Sequence, residues 1–356
     1  MLDTSDFVEK LISAGYSHLC AVPCSFVKSL INCSINYSDK FEYLPCASEA
    51  VACSIAAGLK ISGNKPIVVI QSSGLTNMGS CITSLLNPYG INFPIIVSWR
   101  TYNDGDSEIQ HKHLATDLPR LVNAYGYKHQ ILDNNNLSTA IDQIKECEDT
   151  NKICLLKKDT FSKVFLQKKH KLDLSLYPKR SEFLSILNEE YKNMNSYFIG
   201  TTGNTSREMY SFMKDTDNFY MAGNMGGALS LGLGVSLSNK NVIVCGGDAE
   251  FVMHMGGLTT AGRYKDNINL TYILFDNQSN KSTGGQNTYQ GHVSYRDIAR
   301  FAGFDIYSAE ICNTKQFDLV IKKNKSKKGL RFILVKCNYD PEVQRPPLKS
   351  IKKNIL

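Results

Sequence analysis

The segment from Val242 to Gln278 limits the fold more than any other part of the chain. It opens with a short apolar run, Val242 to Cys245, followed by Gly246-Gly247-Asp248-Ala249-Glu250. Phe251, Met255, Leu258 and Thr259 then recur at helical spacing, and a second apolar run, Asn269 to Phe275, closes on Asp276-Asn277. Runs of this length read as buried strands, and two of them joined through a helix make a right-handed parallel crossover. Both acidic tips then fall at the carboxyl edge of one sheet, where open α/β sheets bind ligands. Asp248 and Asn277 are expected to converge there as hard oxygen ligands. They suit Mg²⁺ shared with a phosphate, whose charge the adjoining helix N-terminus favours. An ordinary crossover with polar turns carries the same residues, so the remainder of the chain has to separate the two readings.

The same alternation runs through the whole sequence. Strands are expected at 18–22, 41–44, 67–71, 93–99 and 153–156. A second series follows at 196–199, 219–221, 242–245, 269–275, 304–307 and 332–335, with helices between. At 356 residues the chain has room for two such layers. The expected architecture is α/β, two doubly wound parallel-sheet domains at 1–165 and 181–356, with a basic linker at 166–180. The helix that begins at Glu49 is rich in small residues, so something packs closely on it.

Composition narrows the function. The net charge of +7 sits largely in lysine-rich stretches at 157–171 and 322–328, which read as solvated surface. Interleaved aromatics and a nucleic-acid motif are both lacking, so no nucleic-acid partner is expected. Eleven scattered cysteines without a Cys-x-x-Cys pair suit free thiols in a reducing cytosol. The N-terminus is acidic, and no apolar run reaches membrane-spanning length, so the expected location is cytoplasmic with no membrane partner.

Four other places carry chemistry. Glu49 enters a tightly packed, otherwise apolar helix, a position suited to a proton donor toward a ring nitrogen; a helix N-terminal acid stabilised by the dipole is the plain alternative. Thr201-Thr202-Gly203-Asn204-Thr205 and Gly223-Asn224-Met225-Gly226-Gly227 each follow a strand and open a helix. Backbone N–H groups in such turns can face a diphosphate. His111 and His113 lie in a long polar loop after Arg100, a length common in functional or mobile loops. Ser282-Thr283-Gly284-Gly285-Gln286 follows Asn277 and is placed to cover a cofactor.

Together these segments resemble thiamine diphosphate enzymes, specifically the phosphonopyruvate decarboxylase family, with sulfopyruvate decarboxylases as close relatives. The matches are Val22-Pro23-Cys24-Ser25, Glu49-Ala50-Val51-Ala52, Gln71 to Asn77, Trp99-Arg100, Gln110-His111, Thr201-Thr202-Gly203, Gly223 to Ala228, Gly247-Asp248 and Asp276-Asn277 with Ser282 to Gln286. Ala249 and Asp276 depart from the general signature, which has Gly-Asp-Gly and Asn-Asn. Cys24 departs from the family's Val-Pro-Asp-Ser, at a position bordering the site, and so bears on substrate identity and proton transfer.

The resemblance implies thiamine diphosphate and Mg²⁺ as cofactors, in a pyrimidine-binding first domain and a diphosphate-binding second domain. Asp248, Asn277 and the carbonyl of Ser279 are implied as metal ligands. Glu49, Ser73, Gly74, Asn77, Thr201, Thr202, Gly203, Asn224, Met225, Gly226, Gly247, Ala249, Glu250 and Thr283 are implied around the cofactor. Glu49, His111 and Cys24 are the expected catalytic side chains, with Cys24, Lys28, Arg100 and His111 toward the substrate. The implied reaction is decarboxylation of a small anionic 2-oxo acid, 3-phosphonopyruvate, in a homodimer or homotetramer with the active site between subunits. A sulfopyruvate decarboxylase, a carboligase and an inactive cofactor-binding scaffold are the rival readings.

Overall fold

The computed structural model describes residues 1–103, 106, 108–340 and 343–348. It divides into two compact units, residues 1–171 with 283–286, and residues 172–282 with 287–356.

The first unit is built on six strands: β1 (His18–Ala21), β2 (Glu42–Pro45), β3 (Pro66–Gln71), β4 (Ile95–Ser98), β5 (Lys128–Ile131) and β6 (Lys152–Leu156). Their order is β2-β1-β3-β4-β6-β5, and every pairing is parallel. Side chains alternate between faces along a strand. Ile67 and Val69 of β3 therefore enter one apolar cluster and Val68 and Ile70 the other. Both faces are covered, which is why β3 reads as a continuous apolar run in the sequence. After β1 the chain turns to one side, to β2, and then crosses to the other, to β3. The crevice outside the carboxyl ends of β1 and β3 is thus the topological switch point, the usual ligand position in such sheets.

The second unit repeats the plan with β7 (Ser196–Gly200), β8 (Asp217–Tyr220), β9 (Asn241–Gly247), β10 (Asn269–Asp276), β13 (Asp305–Ile306) and β14 (Gly329–Lys336). The order is β13-β14-β10-β9-β7-β8, again parallel throughout. Leu270, Tyr272 and Leu274 face one apolar cluster, Ile273 and Phe275 the other. The switch point lies between β7 and β9. Elsewhere, residues 279–280 and 286–287 (β11 and β12) form a small two-stranded ladder around a 3₁₀ turn, where the sequence suggested only a loop.

Three local details differ from the sequence reading. The helix after Asp248 is two helices, Asp248–Met253 and Gly256–Arg263, broken at His254. Gly256 and Gly257 follow the break, and glycine lowers the helix propensity there. The edge strand β5 carries Lys128, His129 and Gln130 and lacks the apolar signature of the inner strands. The basic segment near the division makes specific contacts at its two ends. Asn32 donates to the Val164 carbonyl at 2.9 Å, and Leu166 is buried in the first core. Arg180 already opens the helix Arg180–Tyr191 and is paired there with Glu208 of the helix Asn204–Phe212 at 2.6 Å. Among the described residues no helix is long and apolar enough to cross a membrane.

Candidate active site

Glu49 is the first residue of the helix Glu49–Ile61, capped by Ser48, whose hydroxyl accepts from Val51 N. A free helix-start acid would be solvated, but Glu49 is buried and takes the Asn77 amide N–H on Oε2 at 2.9 Å. Gly74 presses against it. A β-carbon at residue 74 would lie 2.3 Å from Glu49 Oε1. The carboxylate is thus confined by a missing side chain and oriented by an amide, both from the turn that follows β3.

Behind this pair lies a second cluster at the same edge. Cys24, after β1, is fully buried against Ser98, Gln71 and Arg100. Gln71, the last residue of β3, donates to Ser73 Oγ at 2.8 Å and meets His111 Nε2 at 3.0 Å. Burial and the nearby Arg100 charge hold the His111 pKa below its ordinary value. His113, two residues on, is exposed.

Arg100 is not open to an incoming anion. Asp106 grips it through two hydrogen bonds of 2.7 Å, and Phe26 stacks on it at 4.2 Å. Asp106 also accepts the backbone amides of Thr101 and Glu108, and these bonds hold its carboxyl well below the usual range despite burial. Lys28, half-buried at the start of the helix Lys28–Asn36, has no side-chain partner among the described residues.

In the second unit the turns after β7, β8 and β9 carry the expected groups. Thr201 is buried, and its hydroxyl lacks a partner among the described residues. Gly203, Asn224 and Gly226 take positive φ values of 82°, 58° and 93°. A β-carbon on Gly226 would come within 2.9 Å of both Met253 and His254, so close backing excludes a side chain there as well. Thr202 and Met225 complete these turns, half-buried. Asp248 and Ala249 begin the helix after β9.

Asp248 is buried, and desolvation together with the Asp276 charge pushes its carboxyl up to about 7. Thr288 donates to it at 2.9 Å, and Lys336 pairs with Asp276. Asn277 Oδ1 accepts from Ser279 N at 3.0 Å, a tight turn around the expected ligand. Thr283 ends the 3₁₀ turn Lys281–Thr283. Glu250 is a strut rather than an open ligand. Tyr272 donates to it at 2.5 Å, and the amides of Gly247 and Ala228 point at it.

The residues fit the expected cofactor on these grounds. A buried carboxylate disfavoured by its surroundings is one that a divalent cation stabilises, and an unpartnered threonine hydroxyl beside tight turns suits a diphosphate oxygen. Among the described residues no three of His, Cys, Asp or Glu gather as a metal cluster. A cation at Asp248 therefore has to draw on amide, carbonyl and phosphate oxygens, as Mg²⁺ commonly does. Sequence reasoning passed over Ser98, Asp106, Thr288 and the hub role of Gln71. The available signal was polar residues closing otherwise apolar strands, at Gln71 and Ser98.

Two family descriptions match this chain. "Thiamine pyrophosphate enzyme, N-terminal TPP binding domain" covers residues 4–115, and the corresponding C-terminal TPP binding domain covers 199–335. The chain belongs to the thiamine pyrophosphate enzymes, and within them to the decarboxylases of 2-oxo acids. It is 28% identical over 323 residues to a phosphonopyruvate decarboxylase of Streptomyces viridochromogenes, spanning 85% of this chain and 81% of the relative. It is 25% identical to a sulfopyruvate decarboxylase of Methanosarcina acetivorans, over 92% of this chain and 89% of the relative. The β subunit of the Methanocaldococcus jannaschii sulfopyruvate decarboxylase matches at 32% identity, over 45% of this chain and 85% of the subunit.

Proposed function

We propose that this enzyme converts 3-phosphonopyruvate to phosphonoacetaldehyde and CO₂, with thiamine diphosphate and Mg²⁺. The observation that carries the reading is the buried Glu49–Asn77 pair at the first switch point. It occurs in a chain similar to phosphonopyruvate decarboxylases over most of both lengths. When bound, thiamine diphosphate supplies a nucleophilic carbon and an electron sink for decarboxylation.

The chain's own residues do the rest. Glu49 is assigned to hold a proton at the pyrimidine ring nitrogen N1′, with Asn77 and Gly74 keeping its carboxylate in place. Asp248, Asn277 and the Ser279 carbonyl are assigned to Mg²⁺. Thr201 and the turns at 202–203 and 224–226 are assigned to the diphosphate. Residues 1–165 are read as the pyrimidine domain and 181–356 as the diphosphate domain. Lys28, lacking an ion-pair partner among the described residues, is the better cation for the phosphonate, because Arg100 is already committed to Asp106. Arg100 then orders the loop that carries His111. His111 is assigned to hydrogen bonding and proton handling at the substrate.

The small-residue helix Glu49–Ile61 exposes Val51 and Ile55, which suits a second copy packing there, in a homodimer or homotetramer with the site between subunits. Eleven free cysteines support a cytoplasmic location.

Aldehyde release from phosphonopyruvate, sulfopyruvate and pyruvate, with thiamine diphosphate and Mg²⁺ present, tests the reading. The highest kcat/KM is expected for phosphonopyruvate. A preference for sulfopyruvate would replace it with the second reading, which the similarity to sulfopyruvate decarboxylases favours.

A further inference from the structure

Five side chains behind Glu49 form a hydrogen-bonded chain whose donors all point one way. Ser98 Oγ donates to Cys24 Sγ at 3.1 Å, and Arg100 Nη1 faces the same sulfur at 3.8 Å. A thiol has one hydrogen, and this one goes to Gln71 Oε1 at 3.4 Å. The Gln71 amide is thereby oriented, with its oxygen on Cys24 and its nitrogen on the other side. One N–H of that nitrogen meets Ser73 Oγ at 2.8 Å, and the other faces His111 Nε2 at 3.0 Å. An amide nitrogen donates and does not accept, so Nε2 has to contribute a lone pair.

We propose that Cys24, acting through Gln71, holds His111 as a neutral imidazole with its proton on Nδ1, so that Cys24 and Gln71 are positioning residues for this histidine. Its bearing on catalysis rests on the assignment of His111 above; the tautomer follows from the hydrogen bonds alone. Among the described residues the charged groups that act on His111 are Arg100, Glu108 and Asp106. Burial and Arg100 disfavour the imidazolium, and the two acids only partly offset them. A proton on Nε2 would also set N–H against N–H. The Gln71 amide would then have to turn over: Ser73 could still donate to the turned oxygen, but the Cys24 thiol hydrogen would lose its acceptor and the amide N–H would face a sulfur that already takes Ser98 and Arg100.

This gives the cysteine at position 24 a consequence. An ionised aspartate there has no hydrogen to donate. Gln71 would turn its N–H groups toward the acid and its oxygen toward His111, which would then need a proton on Nε2. With Cys24, His111 stays a neutral ring carrying its proton on Nδ1. With an acid at 24, the same ring is drawn toward the cation.

The test uses full-length holoenzyme with ¹⁵N-labelled histidine and long-range ¹H–¹⁵N spectra, signals of His111 being identified by their loss in His111→Asn. The unsubstituted enzyme should show protonated Nδ1 and bare Nε2. Cys24→Ser keeps a single donor hydrogen and should preserve that pattern. Cys24→Asp should move the proton to Nε2, or raise the His111 titration midpoint by about one unit or more. Gln71→Glu, which adds charge without touching position 24, should do the same and covers a failure of Cys24→Asp to fold. A protonated Nε2 in the unsubstituted enzyme would overturn the proposal, as would unchanged spectra in folded Cys24→Asp and Gln71→Glu enzymes. Aldehyde release measured on the same samples keeps the two readings apart. An inactive enzyme with the expected tautomer would refute the decarboxylase assignment and leave this one standing.

Discussion

Adding one methyl group at Gly74 should disable the enzyme by displacing Glu49 while leaving its carboxylate chemically unchanged. Gly74 begins the short helix Gly74–Asn77 and is not among the glycines with positive φ, so alanine meets no backbone obstacle. The obstacle is Glu49. The new carbon would lie 2.3 Å from Oε1, 2.6 Å from Cγ and 2.7 Å from Cδ, whereas ordinary contact begins at 3.4 Å. The carboxylate therefore has to retreat by about an ångström, off the Asn77 amide that holds it at 2.9 Å. A misplacement of about 1 Å can cost about 10²-fold in rate, equivalent to about 2.7 kcal/mol of barrier. Overpacking should lower stability by about 1–3 kcal/mol, read separately by denaturant titration.

Steady-state aldehyde release is the assay, with Glu49→Gln as the reference. That variant should keep thiamine diphosphate and lose about a hundredfold or more. Because both changes remove the same contact, Glu49→Gln added to Gly74→Ala should cost much less than it does alone. A Gly74→Ala enzyme within a few-fold of the unsubstituted rate, or fully additive losses, would refute the argument.

Three further outcomes are expected. Asp248→Ala should abolish thiamine diphosphate binding in calorimetry, because the carboxylate proposed to hold the cation is gone; unchanged affinity would move the proposed metal site elsewhere. Glu49→Gln and Asp248→Ala chains, each inactive alone, should recover toward about one quarter of full activity after subunit exchange, since about half the dimers are then hybrids with one intact site. No recovery, with exchange verified by mass, would place each site within one chain. His111 has a folded-state pKa below its ordinary value, so the unfolded chain takes the proton first. Its contribution to stability is present above about pH 6.5 and is lost as pH falls from there through the lower folded-state pKa. Urea midpoints compared at neutral and mildly acidic pH should show His111→Asn losing less stability on acidification than the unsubstituted protein.

The two parallel layers were legible in the sequence because inner strands buried on both faces leave uninterrupted apolar runs, as at 67–70 and 242–245. Strand ends were legible for the same reason, since a polar residue stops the run. Asp248, Asn277 and the glycine turns could thus be placed at carboxyl edges from one-dimensional spacing. The edge strand β5 escaped because its outer positions carry Lys128, His129 and Gln130 and give no such run.

Only the tertiary structure decided what each polar side chain meets. Arg100 looked free to bind substrate, yet Asp106, six residues on in a loop without periodicity, takes its charge. Lys28 and Arg100 were equal candidates in the sequence, and only the fold distinguishes the one with no partner among the described residues from the paired one. Gln71 looked like the end of a strand and proved to join Cys24, Ser73 and His111, residues up to 87 positions apart in the chain. Apolar periodicity is a local property that repeats along the chain. The direction of a hydrogen bond depends on which donors and acceptors distant turns bring within 3 Å or so of one another, and no spacing rule encodes that.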